Sequence, residues 1–224
     1  MNIQPQLILF DLDGTLIDSA PDLAHCIDEM MQRLGRRPHG EVQVRQWIGN
    51  GMQRLVKRAL VGEIHGEPPI SEFDHAYTLF LQLYAEHYTK KSVVYPGVQE
   101  CLTRLKIWQY PLVCVTNKNL EFVKPLLHHL NLQQYFSLVI AGDTLAYKKP
   151  DPAQLLHAAA HFNVAPTQAL MIGDSMNDVM AARAAGFAVI CVSYGYNHGQ
   201  DISLAKPDAV IDSLIELIDI LRKS

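Results

Sequence analysis

Asp11 and Asp13 stand one residue apart at the end of an apolar run, in the segment Leu7 to Thr15, LILFDLDGT. In an extended backbone, residues two apart point the same way, so both carboxylates face one side. At about 4 Å such a pair repels by about 4 kcal/mol at an effective dielectric of 20, so a cation is needed to hold it. The chemistry open to the pair is that of an acidic, cation-holding site. Alone, a D-x-D is most often two solvated loop aspartates. Its position decides otherwise: Leu7 to Phe10 has the continuous apolar character of a strand buried on both faces. Open α/β sheets place their ligands at the C-terminal ends of such strands.

Three further segments carry polar groups at the ends of strand-like runs. Thr116 closes LVCVT and is followed by Asn117. Lys149 lies in KKPDP, where Pro150 biases it toward an extended backbone. Asp174 ends ALMIG, inside Gly173 to Asp178, GDSMND, and Asp178 four residues on would face the same side of a helix start. Singly, each has a simpler use: Thr116 or Asn117 as a helix cap, Lys149 as a solvated lysine, Asp174 with Ser175 as a helix N-terminus. Four such groups on consecutive strand ends point to one site.

The elements that must position them alternate. Leu112 to Thr116, Leu138 to Ala141, Ala169 to Ile172 and Ala188 to Val192 read as strands, with a weaker one at Ala209 to Ile211. Helical spacing runs over Val98 to Trp108, Leu120 to Leu130, Ala153 to Phe162 and Asp178 to Ala185, and Ile211 to Arg222 reads as a closing amphipathic helix. This alternation predicts an α/β fold, a Rossmann-like parallel sheet with helices on both faces. The interval from Asp18 to Lys91 has helical periodicity instead and no convincing strand. Asp18-Ser19-Ala20-Pro21 offers its first helix an N-cap with proline in the first turn. The sequence thus divides into an α/β core, residues 1–17 and 92–224, and an inserted α-helical segment, residues 18–91.

Composition sets the bounds. Of 224 residues, 49% are hydrophobic and 19% charged, as in an ordinary globular protein. The net charge of −4 and the lack of a dense basic run argue against a nucleic-acid face, so an anion site must be locally positive. Cys26, Cys101, Cys114 and Cys191 show no metal-type spacing and read as buried free thiols, which fits a reducing cytoplasm. No signal peptide and no apolar run of about 18 residues is present, so neither secretion nor a membrane span is expected.

Together D-x-D-G-T at Asp11 to Thr15, the hydroxyl of Thr116, the lysine at Lys149 and GDSMND resemble the four motifs of the haloacid dehalogenase superfamily, over essentially the whole chain. The resemblance implies a haloacid dehalogenase-like core, and the helical insert resembles that superfamily's mobile cap. It implies Asp11 as nucleophile through an aspartyl phosphate, Asp13 as general acid and base, and Thr116 and Lys149 on phosphoryl oxygens. It further implies Mg²⁺ held by an Asp11 carboxylate oxygen, the Asp13 backbone carbonyl and Asp174, with Asp178 bridging through water or orienting Lys149. The aspartate at position 13 separates this chain from the dehalogenase branch and points to phosphoryl transfer.

Trp47 to Leu60, WIGNGMQRLVKRAL, resembles the cap of bacterial phosphoglycolate phosphatases, as do AGDTLAYKKPDP at Ala141 to Pro152 and VSYGYNHG at Val192 to Gly199. The implied substrate is 2-phosphoglycolate, a small phosphorylated partner, with a monomer or homodimer as the acting form. The Gly49-Asn50-Gly51 turn, feeding a helix start, is expected to meet the substrate's carboxylate end, with Asn117 contributing nearby. A related capped phosphatase or mutase acting on sugar phosphates or pyrophosphate is the alternative enzyme, and a non-catalytic scaffold the alternative class. Intact Asp11, Asp13, Lys149 and Asp174 speak against the latter.

Overall fold

Strand β1 (Leu7–Phe10) is buried along its whole length in the computed structural model, which describes residues 4–222. Four successive apolar residues cannot leave a face in water, so the strand sits mid-sheet. It pairs in parallel with β4 (Leu112–Val115) on one side and β6 (Ala169–Gly173) on the other. With β5 (Leu138–Ile140), β7 (Ala188–Val192) and β8 (Ala209–Ile211) they form a parallel sheet in the order β5-β4-β1-β6-β7-β8. The chain works outward from β1 in both directions, so the strand order switches there, where open α/β sheets form a crevice.

Alternation along the strands divides the core. Ile8, Phe10, Cys114 and Ile172 face α5 (Val98–Ile107), α6 (Leu120–His129) and α9 (Glu216–Arg222). Leu7, Leu9, Val113 and Met171 face α7 (Ala153–His161) and α8 (Met176–Ala185). The four cysteines are buried free thiols.

Four helices follow the first strand: α1 (Ala20–Arg33), α2 (Glu41–Arg45), α3 (Met52–Val61) and α4 (Ile70–His87). They bury a cluster of their own around Ile27, Met30, Trp47, Val56 and Phe80. Phe122 and Tyr196, from the sheet side, pack into it. A two-stranded antiparallel ribbon, β2 (Ile17–Asp18) with β3 (Val93–Val94), carries the chain out and back. Two residues per strand are too few to show a period of two, so the sequence carries no sign of it.

Other local expectations differ in detail. Ser19 is the N-cap of α1, but its side chain makes no capping bond and donates instead to Asp13 Oδ1 at 2.5 Å. The closing helix starts at Glu216, not Ile211: Ile211 is buried in β8, and Glu216 Oε1 accepts from the Asp212 and Ser213 N–H groups in the turn between them.

Asp22 locks α1 to the returning chain. Its buried carboxylate accepts from the Lys91 N–H at 2.9 Å and, in a buried setting, from the Ser92 N–H at 2.8 Å and the Ser92 hydroxyl at 2.7 Å. Replacing it by alanine strands these donors, and each buried unsatisfied donor costs about 1–3 kcal/mol. Asp22→Ala is therefore expected to lower the urea midpoint by an amount corresponding to at least about 2 kcal/mol. An unchanged midpoint would refute this anchoring.

Candidate active site

Asp11 is the first residue past β1, and its N–H still donates to Ile172 O in β6 at 2.9 Å. That bond fixes the backbone where the side chain leaves the sheet. Asp11 Oδ1 accepts from the Leu12 N–H at 2.7 Å and lies 2.9 Å from Lys149 Nζ. The same ammonium donates to Asp178 Oδ1 at 2.7 Å and to Val115 O, at the end of β4, at 2.8 Å. Lys149 is only 2% exposed, and three acceptors use its three donors.

Asp178 is fully buried, and its second oxygen closes the capping box of α8. That oxygen accepts from the Asp174 N–H at 3.2 Å, the Ser175 N–H at 3.0 Å and the Ser175 hydroxyl at 2.7 Å. Asp174 accepts from the Thr15 hydroxyl at 2.8 Å and the Tyr196 N–H at 2.7 Å. Space for it depends on Gly14, whose φ of +89° suits glycine, and where a Cβ would lie 2.3 Å from Asp174 Oδ2.

One oxygen from each of Asp11, Asp174 and Asp178 falls within 4.8 Å of the others. Three carboxylates against the single ammonium of Lys149 would carry a formal charge of −2 with all of them ionised, which the buried site resists. Burial pushes the Asp11 carboxyl up to about 7, with Lys149 opposing the rise and Asp178 adding to it. Asp174 is pushed well above the usual carboxylate range by burial, then by Asp178 and Asp11. Hard oxygen donors with uncompensated charge fit a divalent cation. Asp178 has both oxygens committed already, whereas Asp11 Oδ2 makes no hydrogen bond among the described contacts.

The Asp13 carboxylate lies outside that cluster. Lys118 Nζ bridges its two oxygens at 2.8 and 3.0 Å. The cation expected to hold the aspartate pair is therefore two lysines, Lys149 for Asp11 and Lys118 for Asp13. Lys118 is 3% exposed and lies 5.3 Å from the centroid of the Tyr84 ring. Burial opposes its charge, but Asp13 and Tyr84 more than offset this and hold its pKa above the ordinary lysine value. Sequence reasoning missed Lys118; its only signal is a lysine two residues past a strand-end threonine.

Between this acidic end and the helical insert lies a cavity of about 40 Å³, a few times the room one water needs. Asp11, Asp13, Gly49, Gly51, Thr116 and Lys118 face it, with apolar side chains of the insert. The N-terminus of α3 opens there: Gly51 is its N-cap at φ +87°, and no side chain caps it. Thr116 is buried, and its hydroxyl accepts from the Lys118 N–H at 3.1 Å.

Of two further expected site residues, Asn117 lines the cavity and Asn50 does not. Asn117 does not cap α6, whose N-cap is Asn119; its amide donates to Gly49 O at 3.0 Å and Lys149 O at 2.9 Å, tying turn to loop. The Asn50 side chain does not face the cavity. It accepts from Arg58 at 2.8 Å and donates to Asn177 at 3.1 Å, so both its polar ends are used behind the turn. Arg54 also turns away, onto Glu67 and Ile64 O.

An Asp11 pKa raised by folding means the folded state holds this proton more tightly than the unfolded chain. Its contribution is full at low pH and is lost as pH rises from about 4 toward 7. The chelated protein is thus expected to show a falling thermal midpoint between about pH 5 and 8, and a divalent cation to raise it more at the upper end. Equal cation effects at both ends would contradict this electrostatic picture.

The comparisons with known proteins agree with this architecture. A sequence model described as haloacid dehalogenase-like hydrolase matches residues 8–192. A phosphoglycolate phosphatase of Nitrosococcus oceani is 57% identical, over 99% of this chain and 98% of that protein. One from Psychrobacter arcticus is 44% identical, over 98% and 96% respectively. Among solved structures, a predicted phosphoglycolate phosphatase from Haemophilus somnus superposes with a TM-score of 0.92 at 37% identity, covering 98% of this chain and 99% of that one. Sheet order, strand-end carboxylates and sequence thus agree, and the chain belongs to the haloacid dehalogenase-like hydrolases.

Proposed function

We propose that this chain hydrolyses 2-phosphoglycolate to glycolate and phosphate through a phosphorylated aspartate. The observation that carries the reading is the small cavity in which Asp11, Asp13 and Thr116 meet the uncapped start of α3. The near-full-length likeness to relatives named phosphoglycolate phosphatase, at 57% and 44% identity, supports the choice of substrate.

In this reading Asp11 Oδ2 attacks phosphorus in line, and the bond from phosphorus to the ester oxygen breaks. Asp13 gives a proton to the departing glycolate oxygen. It then takes one from the water that attacks phosphorus, so that phosphate leaves and Asp11 is restored. Thr116 holds a phosphoryl oxygen, while Lys149, expected on another, has its three donors on Asp11, Asp178 and Val115 O and instead holds the Asp11 carboxylate in place. Gly49 and Gly51 present backbone N–H groups to the carboxylate end, while Asn117 and Asn50 hold that turn against the core. The fitting metal is Mg²⁺, held by Asp11, the Asp13 backbone carbonyl and Asp174, where it would draw negative charge from the phosphoryl oxygens.

Residues 18–91 act as a cap on a core made of residues 1–17 and 92–224. The β2–β3 ribbon is the pair of strands about which the cap would open to admit substrate. A cavity this small favours a substrate that the cap can enclose completely.

Phosphate release from 2-phosphoglycolate, beside sugar phosphates and pyrophosphate with and without Mg²⁺, tests this directly. The expected preference is a hundredfold or more, about 2.7 kcal/mol at the transition state. Activity spread evenly over the panel would overturn the substrate, and activity independent of Mg²⁺ would overturn the metal. Asp13→Ala is expected to lower kcat by about 10²–10⁴ while Asp11→Asn abolishes turnover.

A further inference from the structure

Among the described residues that face the cavity, Lys118 is the single cation. Lys149 has its three donors committed to Asp11, Asp178 and Val115 O. Lys118 donates to the two oxygens of Asp13, and the Tyr84 hydroxyl is its other polar neighbour. An ammonium has three donors, so one is left over from Asp13. Beside it, Tyr84 is fully buried, and its hydroxyl has no other hydrogen-bond partner among the described residues. Buried polar groups are nearly always paired, so a phenol with no further partner next to a buried lysine marks a place prepared for an anion.

The position of that place follows from the substrate's chemistry. If Asp13 protonates the ester oxygen, that oxygen lies against the Asp13 carboxylate. In 2-phosphoglycolate one methylene separates this oxygen from the carboxylate. Lys118 is hydrogen-bonded to Asp13, so it stands next to the ester oxygen, where the carboxylate must fall. Beyond Lys118 and the two aspartates, the rest of the lining is apolar side chains of the insert, Gly49 and Gly51 of the turn, and the uncharged Thr116 and Asn117.

We propose that Lys118 is the specificity residue of this site, binding the substrate carboxylate while holding Asp13, with the Tyr84 hydroxyl as second donor. The proposal rests on the phosphoglycolate reading above and adds the group that recognises the second anion. Its consequence is selective. A phosphate ester without a carboxylate leaves Lys118 on Asp13 and the Tyr84 hydroxyl with no further partner, whereas one carrying a carboxylate satisfies both. Charged recognition of this kind also rejects neutral analogues strongly, because the buried donors are then left unmatched.

The test compares 2-phosphoglycolate with ethyl phosphate, which lacks the carboxylate, in the wild type, Lys118→Gln, Lys118→Arg, Tyr84→Phe and Lys148→Gln. Lys148 lies beside Gly51, its Nζ 2.8 Å from where a Cβ there would be, and serves as the control cation. Lys118→Gln is expected to lower kcat/KM for phosphoglycolate by about 100-fold relative to its effect on ethyl phosphate. Arginine restores part of that discrimination. Tyr84→Phe removes only the buried hydroxyl and keeps the ring in the core, and it raises KM for phosphoglycolate about 3–10-fold with ethyl phosphate unaffected. Equal losses on both esters in Lys118→Gln, or discrimination lost in Lys148→Gln instead, would overturn the role of Lys118 alone. No preference for phosphoglycolate in the wild type would overturn the substrate reading and this assignment together.

Discussion

The ammonium of Lys149 is the interaction on which the rest of the site depends. Placing an ion in the interior costs several kcal/mol unless close partners of opposite charge are supplied. Here the partners come from three separate parts of the sheet: Asp11 after β1, Val115 O at the end of β4, and Asp178 in the first turn of α8 after β6. The ammonium can be satisfied only when these strands lie side by side in register. Without it, Asp11 and Asp178 would face each other as buried like charges. Correct assembly of the sheet and correct aim of Asp11 are thus one condition.

The site stops short of neutrality. Lys149 balances one of three clustered carboxylates, and the second lysine is spent on Asp13. Folding therefore leaves an excess of negative charge beside a small cavity lined by backbone donors of α3 and by Lys118. Such a site favours a cation at the carboxylates and, once that is present, an anion beside it. Metal and phosphoryl group then become mutually supporting ligands, neither comfortable alone. The helical insert contributes the far wall, and its ties to the core run through Asn50, Asn117, Arg45 and Tyr196. Arg45 grips Asp18 at the ribbon through two bonds, at 2.9 and 3.0 Å.

Sheet and acidic cluster were legible in the sequence because each is written locally. A run such as LILF or ALMIG has one stable home, and a polar residue that ends it must emerge at the rim. The GDSMND segment also announces its capping box, since Ser175 and Asp178 have the spacing of an N-cap and N3 residue. What escaped was set by distant partners. Lys118, Asn117 and Asn50 look alike in sequence, as polar residues near turns. Only the approach of the insert to the core decides that Lys118 faces Asp13, that Asn117 ties loop to turn, and that Asn50 looks backward to Arg58. The ribbon of β2 and β3 was equally hidden, because its pairing joins residues far apart in the chain.

The account's central claim is that Asp11 takes the phosphoryl group itself. A single turnover with 2-phosphoglycolate, quenched in acid and followed by mass analysis of the peptide containing Asp11, addresses it most directly. The account predicts a transient gain of one phosphoryl mass on that peptide, prolonged in Asp13→Ala and absent in Asp11→Asn. Release of phosphate within the turnover with no adduct at any time would contradict it and leave water as the direct attacker.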